Sequence, residues 1–242
     1  MSLRDRFLPV MAVDSTGRHH LLGTDGLGRD MVSRLAYSAR YSLIIAVSAA
    51  LVTTLFAIVL GLSAGYVGGT YDAIVMRAVD ALLSMPVILM AVALAAIIGR
   101  GLGTLVVILA ITGWANYTRV LRAEALALRD SMFVESARAI GCGTLRVLVT
   151  HVLPNTLSVI TVMSTFSIGR FILLESSISF LGMGISPPRS SWGVMIGDAQ
   201  QYLFEAPMAS VLPGVMIVLA VLAINFLGDA LRDKWDPHAR HM

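Results

Sequence analysis

Charge is what this 242-residue chain has least of: 14% of its residues are charged, against about 25% in soluble domains. A 57% hydrophobic content with so few polar neighbours cannot be hidden from water in a globule, so disordered and soluble globular classes are excluded. Cysteine is nearly absent too. Cys142 stands alone, which excludes an internal disulfide framework and leaves no Cys/His spacing of the metal-binding kind. Lysine occurs once, at Lys234, so basicity rests on arginine. The net charge of +3 fits the retention of positive loops in the cytoplasm and implies no nucleic-acid partner. Residues 1–30 carry Arg4, Asp5, Arg6, Asp14, Arg18, Asp25, Arg29 and Asp30 and lack an apolar core, so they are no signal peptide. Strand-type alternation and 20–50-residue repeats are missing, which excludes a β-barrel and a solenoid. His19-His20 and the pair His238 and His241 read as solvated surface rather than metal ligands.

What is present is a set of long uncharged stretches, Tyr41–Tyr71, Ala81–Gly99, Gly101–Thr118, Val147–Gly169 and Ala206–Gly228. A bilayer core needs about 20 apolar residues in a helix, so the reading is an all-α polytopic membrane bundle with five spans. In the first stretch Gly61, Gly65, Gly68 and Gly69 are left for a turn. The second and third stretches form a hairpin about Gly99-Arg100-Gly101, and the fourth starts at Pro154 and runs past Arg170 towards Leu181. The predicted units are an N-terminal segment 1–40, a membrane domain 41–230 with a polar loop at about 119–153, and a tail 231–242.

Positive charge orients these units. Arg77, Arg119, Arg122, Arg129, Arg138, Arg146, Arg232, Lys234 and Arg240 fall in loops of one parity, and only Arg100 and Arg189 in the other. Nine against two puts the large loop and the C-terminus in the cytoplasm. Five spans then place residues 1–40 outside, despite Arg4, Arg6, Arg18, Arg29, Arg34 and Arg40. The expectation that reconciles the two is a further span upstream, lost from this sequence.

The loop from Glu124 to Pro154 is the most informative segment. Ser136, Ala137 and Ala139 flank Glu135 and Arg138, and Gly141 and Gly143 then break the helix, because glycine accepts backbone angles that end one helix and start another. Leu145, Val147, Leu148 and Val149 lead on to Leu153-Pro154 and the next span. The spacing predicts a small-faced, charged helix–turn–helix projecting from the membrane, a shape suited to a groove on a partner.

Glu135-Ser136-Ala137, Gly141 six positions after Glu135, and Leu153-Pro154 resemble the EAA loop, E-A-A-x3-G-x9-I-x-L-P, of ABC-importer permeases. Ser136 replaces the second-position Ala and His151 replaces Ile. His151-Val152-Leu153-Pro154-Asn155 is similar to the dipeptide/oligopeptide/nickel branch, as are Leu22-Gly23-Thr24-Asp25, Gly65-Tyr66-Val67-Gly68-Gly69, Leu174-Glu175-Ser176-Ser177-Ile178-Ser179-Phe180-Leu181-Gly182, and Asn225-Phe226-Leu227-Gly228-Asp229. The likeness covers about residues 20–237 and is nearer the second permease of the pair, without the first of the family's six helices.

The resemblance implies a type I importer fold, a bacterial inner-membrane location, a homologous permease partner, two ATP-binding subunits and an extracytoplasmic solute-binding protein. The solute would be a peptide or a similarly recognised molecule. This chain has no G-x-x-x-x-G-K-[ST] phosphate loop, so ATP and Mg would be bound by the partner subunits, and the chain would be a non-catalytic conduit. Glu135, Ser136, Ala137, Arg138, Ala139, Gly141, Gly143, Leu153 and Pro154 would form the coupling loop. Glu135 and Arg138 would make its charged contacts, and Ala137 and Ala139 would permit close approach.

Arg170 and Glu175 are ionisable residues in a span, where a pathway or interface role competes with structural pairing or snorkelling. Their five-residue separation suits pairing on one helix poorly. Asn225 joins them as a possible interface residue, with helix–helix hydrogen bonding as its simpler role. Pro187, Pro188 and Trp192 are candidates for contact with a binding protein, the alternative being a passive loop with Trp192 at the headgroups. Two other functions compete with the importer. A self-contained secondary transporter driven by an ion gradient needs buried ion sites and internal repeats, for which Arg170 and Glu175 are thin support. An intramembrane enzyme needs a converging nucleophile and base, and His151 lies at a boundary with no such partners.

Overall fold

The structure, a computed structural model, describes residues 3–235. The expected solvation of His238 and His241 lies outside the described residues, as does most of the predicted tail 231–242. Helix α1 (Met31–Ala57) begins where the Asp30 carboxylate accepts the Ser33 backbone N–H at 2.8 Å, an N-terminal cap. A π-helical turn (Ile58–Leu62) carries the chain without a break into α2 (Ser63–Val67). The rod stops only at Gly68, whose φ of 72° and ψ of −157° suit a residue without Cβ. From Met31 to Val67 it is 37 residues, about 55 Å at 1.5 Å per residue, and starts ten residues before the predicted span.

Gly61 and Gly65 therefore do not make a turn, contrary to expectation. A Cβ on Gly65 would lie 2.4 Å from the Arg122 carbonyl oxygen and 2.8 Å from the Ala125 Cβ, and one on Gly61 would lie 2.8 Å from the Thr118 oxygen. These glycines let α1–α2 touch the backbone of α5 directly. Only Gly68 and Gly69 make the turn, both at positive φ.

Helix α3 (Gly69–Leu83) and α4 (Val87–Ile98) meet at 91°. Pro86 causes the break: it disfavours helical angles at Met85 and brings no N–H of its own. The straight second span predicted over Ala81–Gly99 is thus a bent pair. After the expected turn at Gly99–Gly101 comes α5 (Leu102–Arg129), followed by α6 (Met132–Ala139), α7 (Thr144–Val147), α8 (Leu153–Ile178), α9 (Trp192–Ala199) and α10 (Met208–Trp235). Four helical rods, Met31–Val67, Leu102–Arg129, Thr144–Met183 and Met208–Lys234, are long and apolar enough to cross a membrane, and the bent pair passes the same test jointly. Over the described residues the chain is an all-α polytopic bundle of four or five apolar spans.

Helix α1 packs along α5 and α8, and α10 lies against α8. One buried cluster contains Ile45, Leu105, Ile108, Phe171, Ile172 and Trp192. A second, nearer the Val67 end, contains Leu62, Tyr66, Leu121, Val134, Val147 and Val152. The outer faces stay apolar, with Leu51 66% exposed on α1 and Phe226 70% exposed on α10. Such surface is tolerable against lipid or a partner and not against water.

The N-terminal residues fold onto the end of the bundle away from Val67. A short antiparallel hairpin, β1 (Ala12–Val13) and β2 (His19–His20), precedes the Asp30 cap. His20 is buried there, between Asp30 at 2.8 Å and Asp14 at 3.3 Å, which corrects its reading as a solvated residue. The hydrogen bond with Asp30, aided by Asp14, holds the imidazole pKa above its usual value.

Replacing Gly65 by valine drives a branched side chain into the α5 backbone and should cost about 1–3 kcal/mol or more. Gly103→Ala, at a position where a Cβ meets nothing, should cost nothing measurable. Thermal unfolding in detergent checks the pair; equal midpoints would refute the close-approach role of Gly65.

Candidate functional site

Helix α6 stands at the Val67 end. Ser131 precedes it with its hydroxyl donating to the Leu128 carbonyl, and the Ser131 carbonyl accepts the N–H groups of Val134 and Glu135. At its far end Gly141 N–H donates to the Arg138 carbonyl at 2.9 Å, and Cys142 N–H to the Ala137 carbonyl at 3.0 Å. This pair of bonds is the Schellman cap, which needs a left-handed residue, and Gly141 supplies it with φ 89°. Gly143 is different. Its φ of −69° and ψ of 159° are open to any residue, so the bend depends on one glycine and not on two.

The inward face of α6 is fixed to three elements. Val134 and Ala137 are buried in the cluster formed by α2, α5 and the start of the α8 rod. Arg138 reaches α2, where its Nε donates to the Tyr66 hydroxyl at 2.9 Å and its guanidinium lies 4.7 Å from the ring centre. Ala137 therefore serves the joint with this chain, while Arg138 ties to Tyr66 and still stays exposed beside Glu135. Residues 144–183 then run as one helical rod through a π-helical turn at Leu148–Val152. The turn sits immediately before Pro154, whose missing N–H and bulky ring an unbroken α-helix would not accommodate. So α8 does not start at Pro154; the knob's second arm and the membrane helix are continuous.

The outward face carries Glu135, Ser136 and Ala139, all exposed. Ser136 turns its hydroxyl back to the Met132 carbonyl at 2.8 Å, so it takes the place of alanine without offering a free polar group. Glu135 makes no hydrogen bond or ion pair with the described residues. Around it stand Met132 (85% exposed), Phe133, Ile140 (82%) and Leu145, an apolar rim that reasoning from motif spacing overlooked. Its signal was large apolar residues inside a polar loop. Tyr66 was missed as well, although it lies in a quoted segment. Beside the knob, Arg122 grips Asp72 with two hydrogen bonds and Arg119 pairs with Asp80, tying α3 to α5. Bidentate pairing of this kind fixes geometry as well as charge.

The remaining candidates are dispersed. Arg170 is exposed on α8 beside Tyr117, while Glu175 is fully buried and bonded to Ser179 and Ser191, so the two do not pair. Asn225 faces Gly169 across the α8–α10 contact, in keeping with helix packing. Pro187 and Pro188 are exposed at the opposite end of the bundle. Trp192 is 2% exposed and its indole N–H donates to the Leu35 carbonyl at 3.1 Å, so it can neither meet a partner nor anchor in headgroups. Among the described residues no group of three or more His, Cys, Asp or Glu side chains could hold a metal ion.

A bundle of apolar rods with a small knob packed against three of them makes a helical membrane component. The chain belongs to the family of binding-protein-dependent transport system inner membrane components, whose sequence profile matches residues 57–241. It is similar to the di/tripeptide transport system permease protein DppC of Pseudomonas aeruginosa, with 41% identity over 91% of this chain and 73% of that protein. It is also similar to the nickel transport system permease protein NikC of Escherichia coli, with 38% identity over 93% of this chain and 81% of that one. The fold matches a chain of the MetNI methionine ABC transporter in an inward-facing conformation, with TM-score 0.65 and 20% identity over 84% of this chain and 97% of that chain. This protein is a multi-pass transport permease and not an enzyme.

Gly141→Pro removes a capping N–H and cannot adopt a positive φ, so it should unseat α6 and raise the maleimide reactivity of the adjoining Cys142 at least severalfold. Gly143→Ala should leave that rate unchanged. Equal effects from the two would restore the paired-glycine reading.

Proposed function

We propose that this chain is one of two permease subunits of an ATP-driven importer for di- or oligopeptides or a related solute such as nickel. The observation that carries the reading is α6. It is fixed inward at Val134, Ala137 and Arg138, while outward it presents an apolar rim around the free Glu135. A surface of that kind on a knob continuous with a membrane rod is suited to receiving force from another subunit.

In this reading the knob end faces the cytosol of a bacterial inner membrane and seats in a groove on an ATP-binding subunit. ATP and Mg stay with two such subunits, consistent with the missing phosphate loop. Their closure displaces α6. Because α6 is joined to α2 through Tyr66 and to α8 through the 144–183 rod, the displacement rocks helices as bodies and alternates the opening of the path. A homologous permease completes the path, and the exposed apolar faces of the helices meet it or lipid.

The opposite end would receive solute from an extracytoplasmic binding protein. Phe7, residues from Asp25 to Arg34, Arg100 and residues of the segment 179–202 line a cavity of about 1090 Å³ there. Pro187 and Pro188 remain the candidate contacts. The fold of residues 3–30 onto this end supports their lying outside the membrane on the same side as 182–207, with 31–40 already part of α1. The peptide or nickel class follows from similarity to permeases named for those solutes.

Glu135→Lys should leave insertion intact and reduce substrate-stimulated ATP hydrolysis of the assembled transporter by at least about tenfold, a loss comparable to one charged contact. Reconstituted vesicles with the partner subunits provide the measurement. Wild-type stimulation in the lysine variant would remove α6 from the coupling surface.

A further inference from the structure

Glu175 is a fully buried carboxyl in α8, far from the knob and without a role in force transfer. Its Oε1 accepts the hydroxyls of Ser179 at 2.6 Å and Ser191 at 2.7 Å. Its Oε2 has no hydrogen bond, although the hydroxyls of Ser42 and Ser176 are near. Taking a carboxyl out of water and satisfying half of it is a poor way to stabilise a helix contact, since an apolar side chain of similar volume would usually do better. The group it holds accounts for it.

Ser191 is the cap of α9. It accepts the Val194 N–H at 3.3 Å while donating to Glu175, and the positive end of the helix thereby rests on the carboxyl. The next residue is locked as well: Trp192 N–H donates to the Ser42 hydroxyl at 3.1 Å and its indole to the Leu35 carbonyl. Gly193 lies so close to α8 that a Cβ there would be 2.5 Å from the Ser176 Cα. The first turn of α9 is thus tied to α1 and α8 at several points.

The other end of α9 is held by packing as well: a Cβ on Gly197 would be 3.3 Å from the Phe180 carbonyl oxygen, and Ala199 is buried in the same core cluster as Trp192. Asp198 is more than half exposed and pairs with the largely buried Arg34 at 3.0 Å, and the Tyr202 ring beyond it meets Phe7 at a tilt, 4.8 Å between centres. The cavity of about 1090 Å³ lies against this half. The hydrogen-bonded anchor to α8 is at the first turn.

We propose that Glu175 is the positioning residue for α9, a buried pin that seats the helix as a wall of the cavity at the end opposite the knob. The proposal rests on the transport reading for its purpose, since it makes α9 part of the wall where solute enters. The pin itself is a statement about this chain alone.

The test uses the transporter assembled with its partner subunits, carrying Cys142→Ser and a cysteine at Ala199, the buried last residue of α9. Glu175→Leu should speed maleimide labelling at position 199 by about tenfold, the equivalent of one lost buried hydrogen bond, and Ser191→Ala should give a smaller rise. Glu175→Gln, whose amide oxygen still accepts both serine hydroxyls, should keep the parent rate. In a parallel background that retains Cys142, labelling at the knob should not change. An unchanged rate at 199 in Glu175→Leu would overturn the proposal, as would an equal rise at Cys142, which would mean general loosening. If Glu175→Leu does not assemble, the conservative Ser191→Ala decides alone, and no rise there overturns it. Substrate-stimulated ATP hydrolysis by the parent complex is measured alongside; its absence would remove the transport reading while labelling still judges the pin.

Discussion

An eight-residue helix does not hold its shape alone, because nucleation costs more than two turns of hydrogen bonds return. The order of α6 therefore depends on its seat, and the seat is a packed joint with three layers. Burial of Val134 supplies about 1.5–3 kcal/mol. The Arg138–Tyr66 contact adds about 0.5–2 kcal/mol as a cation–ring interaction and a hydrogen bond of similar size. The Schellman cap at Gly141 satisfies the carbonyls of Ala137 and Arg138. Burial leads, and the polar contacts fix the angle. Everything argued about force transfer needs this seat to be stiffer than whatever pushes on it.

The bundle continues that stiffness through direct backbone contact. Gly61 and Gly65 press the first rod onto α5, and Gly113 does the same beneath Phe171, where a Cβ would sit 2.6 Å from the ring. Arginine–aspartate pairs tie α3 to α5 at the knob end. At the other end a buried carboxyl and a locked indole hold the first turn of α9, while Ala199 packs in the core and Asp198 pairs with Arg34 beyond it.

Much of this was legible in the sequence. Low charge and long apolar runs specify a membrane bundle, and Glu135, Gly141 and Leu153-Pro154 locate the knob, whose capping glycine adopts the left-handed angle its position demands. The hairpin at Gly99–Gly101 also stands where the charges break. Other features depended on neighbours distant in the chain. Whether Gly65 turns or packs is decided by Arg122 and Ala125, and the hydrogen bond that steadies Arg138 comes from Tyr66, 72 residues away. Trp192 looks like an interfacial anchor until Leu35 provides an acceptor for its N–H. Pro86 did announce its bend locally, but a count of apolar residues alone passes over it.

The most direct test of a rigid joint is distance. Spin labels at Ile140 on the knob and Leu157 on α8, both exposed, report whether the two move together in the assembled transporter. With and without ATP, the distribution between them should stay superimposable, while each label shifts relative to a reference on the partner permease. A change in the 140–157 distance on ATP binding, with α8 stationary, would show that the knob bends on its own and that the joint transmits nothing.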